Sequence, residues 1–205
     1  VKDAEALPPG LDGMYVDYFS RLREELGPER YINALAPVVA ARTPIPVEAW
    51  RWAMGLVGGS CFFCSVASNE TEEAMLRTFE REVVPKAGRL LNVTGGVVTV
   101  LHKSMSDFLV GSKAEGARDL VVKVREGHAL LAKAAERNYA ETVVGKVANW
   151  ETADKLTPTQ RFFVQHAAHH EVEANGVEMA AKWFTEFQRL YWVVGASVLE
   201  GGSGR

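Results

Sequence analysis

The feature that most constrains the fold is a single pair of β-branched segments in a chain whose other apolar residues follow helical spacing. The segments Leu90–Val93 and Val97–Leu101 are separated by Thr94, Gly95 and Gly96. Short β-branched runs joined by a glycine-rich turn are typical of a β-hairpin. Because the sequence contains one such pair, it predicts one hairpin within a mainly helical protein.

Helical patterns lie on both sides of this hairpin. Apolar residues recur every three or four positions, and prolines or capping pairs mark the helix ends. The predicted helices are 11–26, about 30–41, from Pro46 through Met54, from Asn69 to Val84 with Pro85 ending it, and 104–109. Helices around a single hairpin follow the element order of a winged-helix domain, which we place at about 11–112.

A second, all-helical domain is predicted after a joint at Lys113–Gly116. An apolar stripe runs from His128 to Val147, and Thr157, Pro158 and Gln160 combine the signals that open a helix. That helix should reach Asn175 and Gly176, and another should follow from Val177 to Leu199. The predicted class is mainly α, with a linker at 1–10, the winged-helix domain at 11–112, a bundle or solenoid-like helical domain at 113–200 and a flexible tail at 201–205.

The composition excludes several classes of protein. The chain has 205 residues, 47% hydrophobic and 24% charged, which is typical of a globular protein and not of a disordered one. A net charge of -3 provides no general attraction to nucleic acid or anionic lipid. No apolar run approaches the roughly 20 residues that span a bilayer. The charge and the lack of a long apolar run therefore predict neither membrane nor nucleic-acid partners. With only two cysteines, a cytoplasmic location is expected.

Two candidate ligand sites are interpreted as structural. Cys61 and Cys64 have the spacing of half a zinc knuckle, but no second ligand pair follows in the sequence. His166 and His170 lie four residues apart, so they share a helical face, yet a metal site needs a third ligand. With His169 they are interpreted as packing or capping histidines, and no metal ligand is assigned. Whether Cys61 and Cys64, or His166 and His170, bind a metal is left open.

No catalytic or nucleotide-binding constellation is found. The glycines of Gly55–Ser60 are not followed by the lysine of a phosphate-binding loop. His102, Ser104 and Asp107 lie within one short turn, whereas the members of a hydrolase triad converge from separated elements. A histidine between a strand and a helix is instead well placed to donate a hydrogen bond to an anion held by another domain.

Several stretches resemble a known family. They are "LPPGLDGMYVDYF" from Leu7 to Phe19, the run from Tyr31 to Pro46 that ends in "ARTPIP", "LHKSMSDFL" from Leu101 to Leu109, and "GHALLA" from Gly127 to Ala132. In this order they resemble the segment that follows the nucleotide-binding core in NACHT-type STAND ATPases, which often carry ankyrin or WD40 repeats. The resemblance covers about 11–135 and continues as a pattern into "RFFVQHAAHH".

The resemblance implies a role in signal transduction. In that family a winged-helix domain closes over ADP, and a histidine at the "MHD" position contacts the diphosphate. His102 falls at this position, with Leu101 in place of Met and Lys103 in place of Asp. His102 is therefore the implied nucleotide-sensing residue, the only cofactor-binding residue assigned.

The resemblance also implies partners and cofactors. The Walker motifs would precede residue 1, so the chain is expected to be a non-catalytic portion that holds no cofactor itself, while the intact protein binds ADP or ATP. Its implied partners are an upstream NTPase core and a downstream repeat domain of the same chain, with a homo-oligomer as a further option.

The alternative is a winged-helix module that binds nucleic acid or serves as a protein-interaction scaffold. A recognition helix should be basic. In the predicted helix that starts at Asn69, glutamates outnumber arginines, which argues against nucleic acid.

Overall fold

The computed structural model describes residues 11–41, 43–56, 72–142 and 156–185. This part of the chain is mainly helical, with one small antiparallel sheet. No described helix combines the length and apolar character needed to cross a bilayer. The helices are α1 Leu11–Leu26, α2 Pro28–Ala40, α3 Val47–Ala53, α4 Glu72–Thr78, α5 Val84–Ala87, α6 Lys103–Gly111, α7 Val124–Thr142, α8 Pro158–Asn175 and α9 Val177–Thr185, and the strands are β1 Ile45–Pro46, β2 Leu91–Thr94 and β3 Val97–Val100.

The sheet has the order β1-β3-β2, with both neighbouring pairs antiparallel. Gly95 and Gly96 join β2 to β3 with φ angles of 64° and 77°. Two consecutive positive φ values are what a tight turn between twisted strands requires, and only glycine adopts them without strain. Val98 pairs with both outer strands and is fully buried. The sequence analysis did not predict β1, since two residues are too few for a period-two pattern.

The prediction that Pro85 ends its helix is wrong. Phe79–Val83 forms a π-helical turn between α4 and α5, and Pro85 lies inside α5. In a regular α-helix, a proline leaves the carbonyl four residues back without a donor, and its ring clashes with that carbonyl. The N–H of Val84 instead bonds to the carbonyl of Phe79, five residues back. This wider turn changes the hydrogen-bond register just before the proline, so the chain stays helical.

Unit 1, residues 1–127, is one of two compact units into which the chain divides. Its centre is aromatic. Phe19 of α1 stacks on Phe108 of α6 with ring centroids 5.5 Å apart, and Tyr15 lies 5.4 Å from the same Phe108 ring. Trp50 of α3 is fully buried and donates from its indole nitrogen to the Ala34 carbonyl of α2 at 2.8 Å. Phe19 also lies edge-on to Tyr31 of α2, with ring centroids 6.5 Å apart, so α1, α2, α3 and α6 share one apolar centre.

The segment between α6 and α7 also packs within unit 1. Ala117, Leu120 and Val122 are buried. The fully buried Tyr31 donates its hydroxyl to the Leu120 carbonyl at 2.8 Å. Burial raises the pKa of Tyr31, so its hydroxyl stays protonated and keeps donating. The domain boundary predicted between residues 112 and 113 remains a prediction, and the compact unit extends to Gly127.

Unit 2, residues 128–205, contains most of α7 together with α8 and α9. The predicted start of α8 is confirmed: Thr157 and Gln160 form a reciprocal capping box with Pro158 at the first turn, and Gly176 follows the last residue at φ 89°. Leu131 and Phe163 are fully buried. The predicted apolar face from Val177 continues beyond Thr185, where it lies outside the described residues.

Four further predictions concern residues outside the described ranges, and they stay predictions. They are the linker at 1–10, the structural role of Cys61 and Cys64, the capping role of Asn69 and the tail at 201–205.

We predict that Gly127→Ala destabilises the protein by about 1–3 kcal/mol. A Cβ at Gly127 would overlap the Ala36 carbonyl oxygen and lie 2.8 Å from the Ala40 Cβ, so the α2 backbone must move. Gly13→Ala in α1 is the matched control. A Cβ added at Gly13 has no atom of another residue in its way within 4 Å. The better helix propensity of alanine should therefore stabilise the protein by about 0.5–1 kcal/mol. Urea unfolding followed by circular dichroism measures both, and equal effects would contradict the close approach of α2.

Candidate functional site

His102 lies where the sequence analysis expected it, between the last strand of the sheet and a helix. β3 ends at Val100, and His102 is the N-cap residue of α6, with an extended backbone at φ -144° and ψ 144°. Its side chain is exposed, as are those of Leu101 and Lys103 on either side. The imidazole is therefore held at the start of a helix and faces solvent.

The hydrogen bonds of His102 assign its tautomer. The backbone N–H of Ser104 donates to Nδ1 at 3.2 Å, and the Ser104 hydroxyl oxygen lies 2.7 Å from the same nitrogen. A backbone N–H can only donate, so Nδ1 is the unprotonated nitrogen of the neutral ring. The proton then lies on Nε2, which can donate to a ligand.

A buried tyrosine supports this arrangement. The hydroxyl of Tyr15, in α1, is 2.6 Å from the hydroxyl oxygen of Ser104. Tyr15 can donate to Ser104 while Ser104 donates to His102, which links the apolar centre of unit 1 to the exposed imidazole. The sequence analysis did not identify Tyr15, because the bonded residues are 89 positions apart and no local pattern joins them.

The geometry of His102, Ser104 and Asp107 argues against a hydrolase triad. In a triad the serine contacts Nε2 and the carboxylate contacts Nδ1. Here Ser104 occupies Nδ1, the nitrogen that the carboxylate would need, and Asp107 is exposed. The arrangement instead suits an anion, since Nε2 can donate a hydrogen bond and the positive end of the α6 dipole lies at the same end of the helix.

A second polar cluster lies in unit 2. It consists of His128 from α7 and of His166, His169 and His170 from α8. The Nδ1 atoms of His128 and His170 are 2.8 Å apart, and both residues are buried. The ring centroid of His128 lies 5.3 Å from that of His169 and 5.0 Å from that of His170. We call His128, His169 and His170 the histidine trio.

Burial keeps part of this cluster neutral. Desolvation, followed by repulsion from His128, His169 and His166, lowers the pKa of His170 from 6.5 to about 3. Desolvation also lowers the pKa of His166, with a further contribution from His169. A neutral imidazole has one N–H and one free lone pair, so it can ligate a metal. The buried Nε2 atoms of His169 and His170 have no hydrogen-bond partner.

Three of these histidines were predicted to lie on one helix, and the fourth was not assigned to the cluster. His128 was assigned only to the apolar stripe of its helix. His128 and His170 are 42 positions apart in the sequence, and only the packing of unit 2 brings them into contact. His128 supplies the third residue that a metal site needs, in a set with His169 and His170 that does not include His166.

We predict that acid destabilises the protein through His170. Its pKa is lower in the folded chain than in the unfolded chain, so below about pH 6.5 the unfolded chain binds a proton that the folded chain excludes. The contribution is complete above pH 6.5 and is lost as the pH falls towards 3. Between pH 7 and pH 5 the loss should be about 2 kcal/mol, measured by urea unfolding with a chelator present.

The variant His170→Phe keeps a planar ring but cannot titrate. Its stability should fall by about 2 kcal/mol less than that of the wild type over the same pH interval. His102→Ala controls for removing a histidine from unit 1. A wild-type slope in the Phe variant would show that His170 does not cause the acid sensitivity.

Comparison of the chain with protein-family models, curated proteins and solved structures gives no match. Function is therefore inferred from geometry. Among the described residues, two arrangements suit a ligand. The exposed His102 at the start of α6 suits an anion, and the buried histidine trio suits a metal ion.

Proposed function

We propose that the chain is a regulatory, non-catalytic portion of a cytoplasmic STAND NTPase, in which unit 1 is a winged-helix domain that senses nucleotide through His102. In this proposal an NTPase core of the same polypeptide holds ADP, and a repeat domain detects the signal. The chain acts as a hinge between them. The observation that carries the proposal is the exposed imidazole of His102 at the N-terminus of α6, held at Nδ1 by Ser104.

The order of elements supports a winged helix. A short strand, β1, lies between α2 and α3, and the helical stretch from α4 to α5 precedes the paired strands β2 and β3. The three strands form one antiparallel sheet in which the first strand pairs with the last. This is the helix, strand, helix, helix, strand, strand order of winged-helix domains.

The chemistry of His102 supports contact with a phosphate. Its Nδ1 is bound to Ser104, so the ring is oriented before any ligand arrives, which reduces the entropy lost on binding. Lys103 adds a positive charge at an exposed position. A hydrogen bond between a histidine N–H and a phosphate oxygen is charge-assisted and stronger than one between neutral groups.

The proposed mechanism is a shift in population between two arrangements of the polypeptide. ADP bridged by His102 adds contacts in the closed arrangement only, and so favours it. Replacement of ADP removes that contact and frees the helical unit for self-association. The shift can be no larger than the difference in nucleotide affinity between the two arrangements.

We predict that His102→Ala weakens ADP binding by about 10- to 100-fold in a protein that joins the NTPase core to this chain. The range corresponds to about 1.5–3 kcal/mol for a hydrogen bond to a charged group. Isothermal titration calorimetry measures the affinity. The present chain alone should give no heat with ADP.

The matched control is Leu101→Ala. Leu101 is exposed, adjoins His102 and has no hydrogen-bond donor in its side chain, so this variant should bind ADP as the wild type does. Equal affinity of the His102 variant and the wild type would overturn the role of His102.

The charges on the surface of α4 and the following π-turn argue against binding of nucleic acid. The exposed Arg77 is paired with Glu73, and Arg30 with Glu82. Glu80 is exposed as well. Along residues 72–83 glutamates outnumber arginines, and such a surface does not attract a phosphate backbone. Salt-sensitive binding of a labelled DNA duplex to the chain would reverse this conclusion.

A further inference from the structure

We propose that the histidine trio of unit 2, His128, His169 and His170, is a binding site for a borderline transition-metal ion, with Zn²⁺ as its reference ligand. This site is independent of His102 and of the proposed nucleotide switch. It would join α7 to α8.

The spacing of the trio suits a single ion. One ligating nitrogen from each of the three residues lies within 4.8 Å of the other two. Zinc binds imidazole nitrogen at about 2.0–2.1 Å, which places nitrogens of a tetrahedral site about 3.3 Å apart. Small side-chain rotations that bring these three nitrogens closer together would place three ligands around one ion.

The hydrogen-bond state of the trio also indicates a ligand. His170 is 2% exposed, and its Nε2 has no hydrogen-bond partner, nor has that of His169. A buried polar atom without a partner costs about 1–3 kcal/mol. A metal ion would give such nitrogens a partner, while a hydrogen bond at the opposite ring nitrogen can orient a ligating imidazole.

The composition of the trio selects the class of metal. Imidazole is a ligand of zinc, copper and nickel, whereas magnesium and calcium prefer carboxylate and carbonyl oxygens. The neighbouring carboxylate of Glu171 is engaged by the side chain of Asn175 at 2.7 Å.

The site would contribute to the folding of unit 2. His128 lies on one helix, while His169 and His170 lie on another. An ion held by both helices binds the folded unit and not the unfolded chain, so its binding free energy adds to stability. Three protein ligands leave a fourth position of a tetrahedral site for a further ligand.

The test uses the full chain after removal of metals with a chelator. Cys61→Ser and Cys64→Ser are introduced first, because a Cys-x-x-Cys pair can itself bind zinc. Titration calorimetry with Zn²⁺ should show one ion per chain, and Co²⁺ should give the visible absorption of a tetrahedral site. Zinc should raise the thermal midpoint, whereas Mg²⁺ at the same concentration should not.

Variants then locate the ligands. His128→Gln and His170→Gln should each weaken zinc binding by more than about 100-fold, since loss of a ligand exceeds the loss caused by its supporting residues. His166→Gln is the matched control, because His166 lies one turn from His170 on the same helix but outside the trio. It should keep wild-type affinity. Circular dichroism verifies folding, and His169→Gln, at a less buried position, decides the matter if a buried variant fails to fold.

Three results would overturn the proposal. The first is the absence of zinc binding in the cysteine-free chain. The second is unchanged affinity in folded variants of the trio. The third is loss of binding in His166→Gln with retention in His128→Gln, which would place the ion elsewhere in the cluster.

Discussion

The stacking of Phe19 on Phe108 is the contact on which the arrangement of unit 1 depends. It joins α1 to α6, and so connects the first helix of the chain to the helix after the sheet. Burial of an aromatic pair contributes free energy both through its area and through ring geometry. Because α6 is held in this way, its first turn has one position relative to α1, and Tyr15 can reach Ser104. The orientation of the exposed His102 thus depends on packing in the apolar centre.

In unit 2, in contrast to the aromatic packing of unit 1, buried polar side chains lower the stability of the fold. Its buried histidines cost free energy, since imidazole loses hydration on burial and a buried nitrogen without a partner is not compensated. His128 and His170 satisfy one nitrogen each through their mutual contact, while the Nε2 of His170 remains without a hydrogen bond. A purely structural interior would be more stable with apolar side chains at these positions. An arrangement that lowers stability without evident compensation is where function is expected.

Local signals predicted much of the helical framework because they depend on neighbouring residues. The capping box of Thr157 and Gln160 opens α8, and the apolar spacing from Leu11 to Leu26 coincides with α1. Pro85 misled the sequence analysis for a physical reason. A proline ends a helix only when its regular hydrogen-bond register is kept, and the π-turn that changes this register has no known signature in the residue pattern. Strand β1 was missed because it is stabilised by pairing with β3 and not by its own two residues.

By itself, the sequence determined the mainly helical class, the position of the two longer strands and the junction that carries His102. These features depend on periodicity, β-branching and turn glycines, all of which act over a few residues. Tertiary structure decided which side chains meet across long separations. It brought Tyr15 to Ser104 over 89 residues and His128 to His170 over 42. Such contacts arise only when helices pack, because a hydrophobic pattern specifies which face of a helix is buried but not which residue of another helix lies against it.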